Sequence, residues 1–361
     1  MTERRTPLLE AHAELGAKLT EFAGWDMPLQ FSGIVSEHNS VRSSVGVFDV
    51  SHLGKLRLEG ASAGKALDRA VTADIGALEV GRATYALVLY DDGGCVDDLF
   101  VYRLGSHEWL VVPNAANVQE VARALVEAGA SPVDEWSRWA ILAVQGPGSF
   151  ETFDRAFPAG GAGELELHSW KGLEVCGDTG FVARTGYTGE RGFELYAPSA
   201  VAPQAYGALL DAGCAPVGLG ARDTLRLEMG YALYGHEISP DINPLEAGLG
   251  WAIDWESSFR GREALDGVRE SGPARRLFGF LCKERGVPRA GYAVVDEDRT
   301  LGEVTSGNYS PTLGTGIALA LGPAESTPEA GRAAAVEARG RRIDGVIVKP
   351  PFVGKGERTK K

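Results

Sequence analysis

Cysteine is scarce in this chain. Its four residues, Cys95, Cys176, Cys214 and Cys282, lie far apart with no C-x-x-C pair, which argues against a disulfide framework or a thiolate zinc site and leaves reduced, mostly buried thiols. Long apolar runs are missing as well. The N-terminal residues carry charges but no apolar core followed by a small-residue cleavage site, and no later segment offers the roughly 20 apolar residues of a membrane span. The expectation is a cytoplasmic protein with no membrane partner. Generic cofactor motifs are absent: there is no G-x-G-x-x-G after a strand, no Walker loop, no H-E-x-x-H and no G-x-S-x-G, which removes the commonest enzyme classes. The six histidines, His12, His38, His52, His107, His168 and His236, never fall at i, i+4 around a carboxylate, so no metal is expected and each reads as an ordinary surface or core residue. Positive charge is in deficit, with 36 Lys and Arg against 49 Asp and Glu and a net charge of -13. Such a field repels phosphate backbones, and no nucleic acid partner is expected. The basic run Lys355, Arg358, Lys360, Lys361 reads as a solvated tail.

Glycine, by contrast, is plentiful. Forty-eight glycines and 18 prolines are scattered without a period through a chain of 361 residues that is 44% hydrophobic. The length suggests two or three domains with substantial cores, and the scatter suggests many turns between short strands.

Periodicity gives a coarse order of elements. A helix capped by Thr6 and Pro7 carries Leu8, Leu9, His12, Leu15 and Leu19, and is expected to end near Phe22. A second helical pattern covers Ile34 to Ser44 and runs into a strand-like segment from Val45 to His52. From Gly54 to about Asp134, strand runs at Lys55 to Leu58, Ala83 to Tyr90, Leu99 to Leu104 and Glu108 to Val112 interleave with helical patterns at Ala63 to Val71 and Val118 to Ala128. That order predicts a compact ferredoxin-like α+β module. A similar mixture returns from Trp136 to Gly235 and ends in a helix from Ala221 to Gly230. Beyond about Arg275 short strands and turns alone remain, which suits a small all-β barrel.

Three glycine-bounded segments concentrate polar and aromatic residues. In Gly93-Gly-Cys-Val-Asp-Asp-Leu-Phe-Val-Tyr-Arg, extended backbone puts Asp98, Phe100 and Tyr102 on one face and Asp97, Leu99 and Val101 on the other. A carboxylate beside two aromatics suits a flat, nitrogen-containing ligand that gains charge during reaction, although a hairpin turn would equally account for the two aspartates. The loop Arg184-Thr-Gly-Tyr-Thr-Gly-Glu-Arg-Gly-Phe-Glu offers Tyr187 as a stacking surface and Glu194 as an acceptor. In Gly218-Leu-Gly-Ala-Arg-Asp-Thr, Arg222 falls in the first turn of a helix, where a cation opposes the dipole and so calls for an anionic partner, either a ligand-site group or a surface carboxylate.

In order along the chain, these segments join Thr6-Pro-Leu, Phe22-Ala-Gly-Trp-Asp-Met-Pro, Phe48-Asp-Val-Ser-His, Asn114-Ala-Ala-Asn, Gln145-Gly-Pro, Leu233-Tyr-Gly, Pro244-Leu-Glu-Ala-Gly-Leu-Gly-Trp and Val304-Thr-Ser-Gly-Asn-Tyr-Ser-Pro. The series closely resembles the glycine cleavage T-protein family, nearly end to end. The resemblance implies a three-domain cloverleaf of mixed α/β modules plus a C-terminal all-β barrel around a central folate cavity. The implied division is residues 1–53 with 136–272, 54–135 and 273–361. It implies an aminomethyltransferase that moves the one-carbon unit from the lipoyl arm of the acidic H-protein to tetrahydrofolate as co-substrate, releasing ammonia. Asp98 would sit at the reacting folate nitrogen. Tyr85, Asn114, Tyr187 and Glu194 would contact the pterin, and Arg222 matches a motif arginine. Phe100 and Tyr102 share the Asp98 face. Trp251 is a weaker candidate, and a core tryptophan is the expectation there. Leu53 replaces the family's usual methionine at the cavity wall, a volume-conserving change, and Arg191 puts a positive charge at the loop tip. A folate-dependent demethylase and a non-catalytic folate-binding scaffold are the alternatives on the same fold, and a monomer is the default state.

Overall fold

The computed structural model describes residues 4–354 except 159, 298 and 339; the basic C-terminal run falls outside them. The architecture is mixed α/β with a closed barrel at its C-terminal end. The strand Trp139–Gln145 is buried along its whole length in the middle of a six-stranded sheet, between Gly192–Pro198 and Gly46–Asp49. Alternation along it feeds two cores. Ala140, Leu142 and Val144 pack with Phe153, Phe193 and Tyr206, while Trp139, Ile141 and Ala143 pack with Phe48, Phe181 and Tyr196. A strand buried on both faces must be apolar throughout, as this one is up to Gln145.

A separate five-stranded antiparallel sheet has the order Ala83–Leu89, Cys95–Gly105, Glu108–Val112, Leu56–Glu59, Val133–Asp134. Its two helices, Ala63–Ala70 and Val118–Glu127, bury Ala63, Ala66, Leu67 and Ala70, and Val121, Ala124 and Leu125. The i, i+3, i+4 spacing turns one stripe of each helix to the sheet. Short strand Val133–Asp134 adds an edge beyond the expected order of elements. The barrel closes through six strands of 4 to 12 residues, some longer than the short runs anticipated from turns alone.

Two expectations fail at the N-terminus. The first helix spans Leu9–Glu14 only, and Lys18–Phe22 is a strand paired antiparallel with Trp25–Gln30. Gly16 at φ 72° ends the helix, and Ala23 and Gly24, at φ 52° and 82°, turn the hairpin; the leucine spacing could not reveal that the pattern is cut by a left-handed residue. Thr6 does not cap the helix with its side chain. Its hydroxyl instead donates to Asp49 Oδ2 at 2.6 Å.

Helix Leu219–Glu228 starts two residues earlier than expected and ties the modules together. At its start Gly218 lies so close to the Leu29 carbonyl that any Cβ would overlap it. At its end Glu228 is a hub. Oε2 accepts Arg42 Nη2 at 2.8 Å and Thr312 Oγ1 at 2.9 Å and faces His38 Nε2 at 3.3 Å, while Oε1 accepts Ser310 Oγ at 2.5 Å and the Thr312 amide at 3.1 Å. Ser310 closes a barrel strand, so one carboxylate joins the barrel to two helices.

Candidate active site

The long strand Cys95–Gly105 places the central group. Leu99 and Val101 point into the core beneath the sheet, as the alternation requires, and Val96 joins them because a register shift opposite Val88 and Leu89 interrupts the alternation there. Asp98, Phe100 and Tyr102 line a cavity of about 810 Å³ on the opposite face. The hairpin before this strand is tight because Gly94 runs against the Pro240 carbonyl, where a Cβ would collide with oxygen.

All nine residues singled out from the sequence meet in that cavity: Asp98, Tyr85, Phe100, Tyr102, Asn114, Tyr187, Glu194, Arg222 and Trp251. Asp98 Oδ2 accepts the Tyr85 hydroxyl at 3.0 Å, and Asp98 Oδ1 accepts Asn114 Nδ2 at 2.9 Å. Asp97, facing away, is fully buried and takes the Asn114 amide, Asn114 Nδ2 and Asn117 Nδ2, each at 2.8 Å. Burial pushes both carboxyls above the usual range, and the Asp98 charge adds to the push on Asp97. Burial is also the main cause holding the Tyr85 hydroxyl firmly protonated, helped by Asp98. The two aspartates therefore do more than end a turn.

Glu194 forms the other polar pole. Oε2 accepts Thr185 Oγ1 at 2.5 Å and the Tyr102 hydroxyl at 3.4 Å, and Tyr196 donates to Tyr102 at 3.1 Å. Burial raises this carboxyl, against the Thr185 hydrogen bond and the Arg222 charge. The guanidinium of Arg222 lies 4.7 Å from the Tyr187 ring centroid. Among the described residues Arg222 has no contact ion pair: burial lowers its pKa, while Tyr187, Glu194 and Asp98 act on it through space to raise it. The Tyr187 ring lies under the Arg222 guanidinium, with the tilted Tyr231 ring 5.7 Å away, and its hydroxyl donates to the Ala232 carbonyl.

Trp251 is no core residue. It is 70% exposed and stacks on Tyr85 at 5.2 Å and 23°, because the turn Gly250–Ala252 holds it at the cavity edge rather than in a helix face. Leu53 lies in the wall as anticipated. Arg191 is not free at the loop tip; it donates to the Pro147 carbonyl at 2.8 Å and covers the Phe150 ring.

Three histidines read as ordinary, His52, His168 and His236, also line the cavity, together with Phe22, Arg226, Arg289 and Ser306. His52 is buried, with Nδ1 unpartnered among the described residues. Burial foremost, and Arg222 next, hold its pKa down to about 3. The histidine in Asp49-Val-Ser-His was visible in the sequence as part of a motif, but its spacing from any other polar group was not. Among the described residues no group of three His, Cys, Asp or Glu side chains is placed to hold a metal ion, and no helix is long and apolar enough to cross a membrane.

Chemically the cavity offers two carboxylates at separate poles, the guanidinium groups of Arg222 and Arg226, and aromatic walls. A flat heterocycle with an amidine-like edge fits this donor set: Glu194 would meet the edge with paired hydrogen bonds, and Asp98 would face a nitrogen elsewhere on the ring.

Comparison with known proteins points the same way. Residues 8–257 match the family described as the GCVT N-terminal domain, and residues 275–354 match the glycine cleavage T-protein C-terminal barrel domain. An aminomethyltransferase of Mycobacterium avium is 45% identical over 96% of each chain. One from Halothermothrix orenii is 42% identical over 97% of this chain and all of its own. The crystal structure of the glycine cleavage system aminomethyltransferase T from Bartonella henselae superposes with a TM-score of 0.91 at 33% identity, covering 99% of both chains.

Proposed function

Since the chain belongs to the glycine cleavage T-protein family and is an aminomethyltransferase of the glycine cleavage system, we propose that it takes the aminomethyl carbon from lipoylated H-protein, uses tetrahydrofolate as acceptor, and works as a cytoplasmic monomer. Tetrahydrofolate, when bound, supplies the nitrogen nucleophiles that accept the carbon. The residues supply position and charge. Glu194, fixed by Thr185 and Tyr102, would take the amidine-like edge of the pterin, while Tyr85, Phe100, Tyr102 and Tyr187 exclude water around the ring. Asn114 and Tyr85 aim the carboxylate of Asp98. Asp98 would stabilise positive charge developing on the carbon–nitrogen unit in transfer and take up the proton lost by the attacking nitrogen. Arg222, buried between the two carboxylates in electrostatic terms, keeps the emptied pocket from carrying two uncompensated charges. Trp251 lies at the edge, where a ligand's outer portion and the lipoyl arm would pass.

The observation that carries this reading is the convergence of Asp98 and Glu194 on one aromatic cavity from two different sheets. The test is ammonia and methylenetetrahydrofolate production from aminomethyl-loaded H-protein with and without tetrahydrofolate. Equal release of both products, dependent on folate, is expected. Tight folate binding with no turnover would refute it.

A further inference from the structure

Two adjacent carboxylates on opposite faces of one strand share a single amide. Asn114 Nδ2 lies 2.8 Å from Asp97 Oδ1, 2.9 Å from Asp98 Oδ1 and 3.1 Å from the Asp98 carbonyl. Three oxygens around that atom fix the amide with its NH₂ toward them. The partners of the two carboxyls differ in kind. Asp97 meets the backbone N–H of Asn114 and the NH₂ groups of Asn114 and Asn117, and none of these can accept a hydrogen bond. Burial and the Asp98 charge push Asp97 toward protonation, but the three N–H donors of Asn114 and Asn117 oppose that push and would lose an acceptor to any proton placed there. Asp98 meets Asn114 on one oxygen but the Tyr85 hydroxyl on the other, and a hydroxyl can reverse to accept. Asp98 can therefore be carboxylate or carboxylic acid without losing its partner.

We propose that Asp97 is a positioning residue for the transfer reaction: a fixed, buried negative charge that acts through Asn114 on Asp98, so that Asp98 is the carboxyl of the pair that takes up and gives back the proton. The inference rests on the role given to Asp98 above. Each carboxylate touches the same nitrogen, so their nearest oxygens stand within about 6 Å, and at that distance a unit charge shifts a neighbour's proton affinity by about one to two pH units at an effective dielectric near 20. The other groups that face Asp98 are Tyr85 from the adjacent strand, Tyr187 from the loop before Gly192, Arg222 from the helix Leu219–Glu228, and Cys95 of its own strand. Of these Arg222 is the one cation, and it pulls Asp98 toward the charged form. Asp97 opposes that pull, and so leaves Asp98 able to exchange its proton.

Two measurements test this. In the native protein with aspartate labelled at the carboxyl carbon, and with the resonances assigned through bonds to the backbone amides, Asp98 should titrate while Asp97 remains ionised throughout. A titrating Asp97 beside a constant Asp98 overturns the proposal, and this result does not depend on any variant folding. In Asp97→Asn, the acid limb of the single-turnover pH profile should move to lower pH by about one to two units, because removing a negative neighbour makes Asp98 easier to ionise. A lowered rate with an unmoved limb would make Asp97 merely structural. Asp98→Asn separates the two readings: unchanged turnover there would refute the Asp98 role itself, whereas a large loss there with an unmoved limb in Asp97→Asn refutes only the present inference.

Discussion

Replacing Glu228 with glutamine removes one charge from the point where the helices Ile34–Ser43 and Leu219–Glu228 meet the barrel, and leaves Arg42, His38, Ser310 and Thr312 facing a neutral amide. The side chain is fully buried. Burial on its own would raise this carboxyl, but the hydrogen bond from His38, with Ser310 and Arg42, overcomes that and lowers its pKa from 4.5 to about 2. At 1.36 kcal/mol per unit this amounts to about 3 kcal/mol, in line with the roughly 3–5 kcal/mol lost when one partner of a buried ion pair is removed. The sign follows from linkage. A carboxyl with a depressed folded-state pKa contributes fully above its unfolded value near 4.5 and loses that contribution as pH falls through about 2. Urea unfolding of native protein and Glu228→Gln at a series of pH values should therefore give a gap of about 3 kcal/mol at neutral pH that narrows steadily below about pH 4.5, with unchanged m values. A gap under about 1 kcal/mol at neutral pH, or one indifferent to acid, would refute the reasoning.

Other outcomes follow from the same geometry. Glu194→Gln should weaken folate binding by roughly 10- to 100-fold in a fluorescence titration, since a charge-assisted pair of hydrogen bonds is lost; binding within twofold of native would remove Glu194 from the pocket chemistry. Trp251→Ala, at a residue 70% exposed, should leave stability within about 1 kcal/mol while raising the KM for the aminomethyl carrier or folate; a large drop in Tm would mean the ring serves packing. Lys55 is buried with its Nζ on the Ser51 carbonyl, and burial lowers its pKa to about 7. The unfolded state then binds more protons between about pH 7 and 10, so stability should climb with pH over that window. Lys55→Met should flatten the climb, and a slope equal to that of the native protein would contradict the assignment.

Local pattern was enough where one strand or helix decides the outcome. The two faces of Asp97 to Tyr102, the helix Ile34–Ser43 and the barrel beyond Arg275 all follow from spacing and turn chemistry. It failed where a single residue cut a pattern, as Gly16 does to the leucine series. It was silent where partners are remote. Glu228 meets Arg42 across 186 positions, and His12 meets Asp49 across 37; no window of sequence holds both members of either pair. The exposure of Trp251 was illegible for a related reason, since a tryptophan between Gly250 and Ala252 packs or protrudes according to what lies beyond it. Asp97 shows the limit from another side. Alternation gave its direction, but only the folded chain reveals that three N–H groups wait there.

The cavity wall begins at Phe22 and is completed by Arg289, Ala290, Ser306 and Gly307 from the barrel. A chain emerging from the ribosome thus carries Asp98, Glu194 and Arg222 long before it has a closed pocket to put them in. Until the barrel strands appear, the cavity lacks that part of its wall and Glu228 lacks its Ser310 partner.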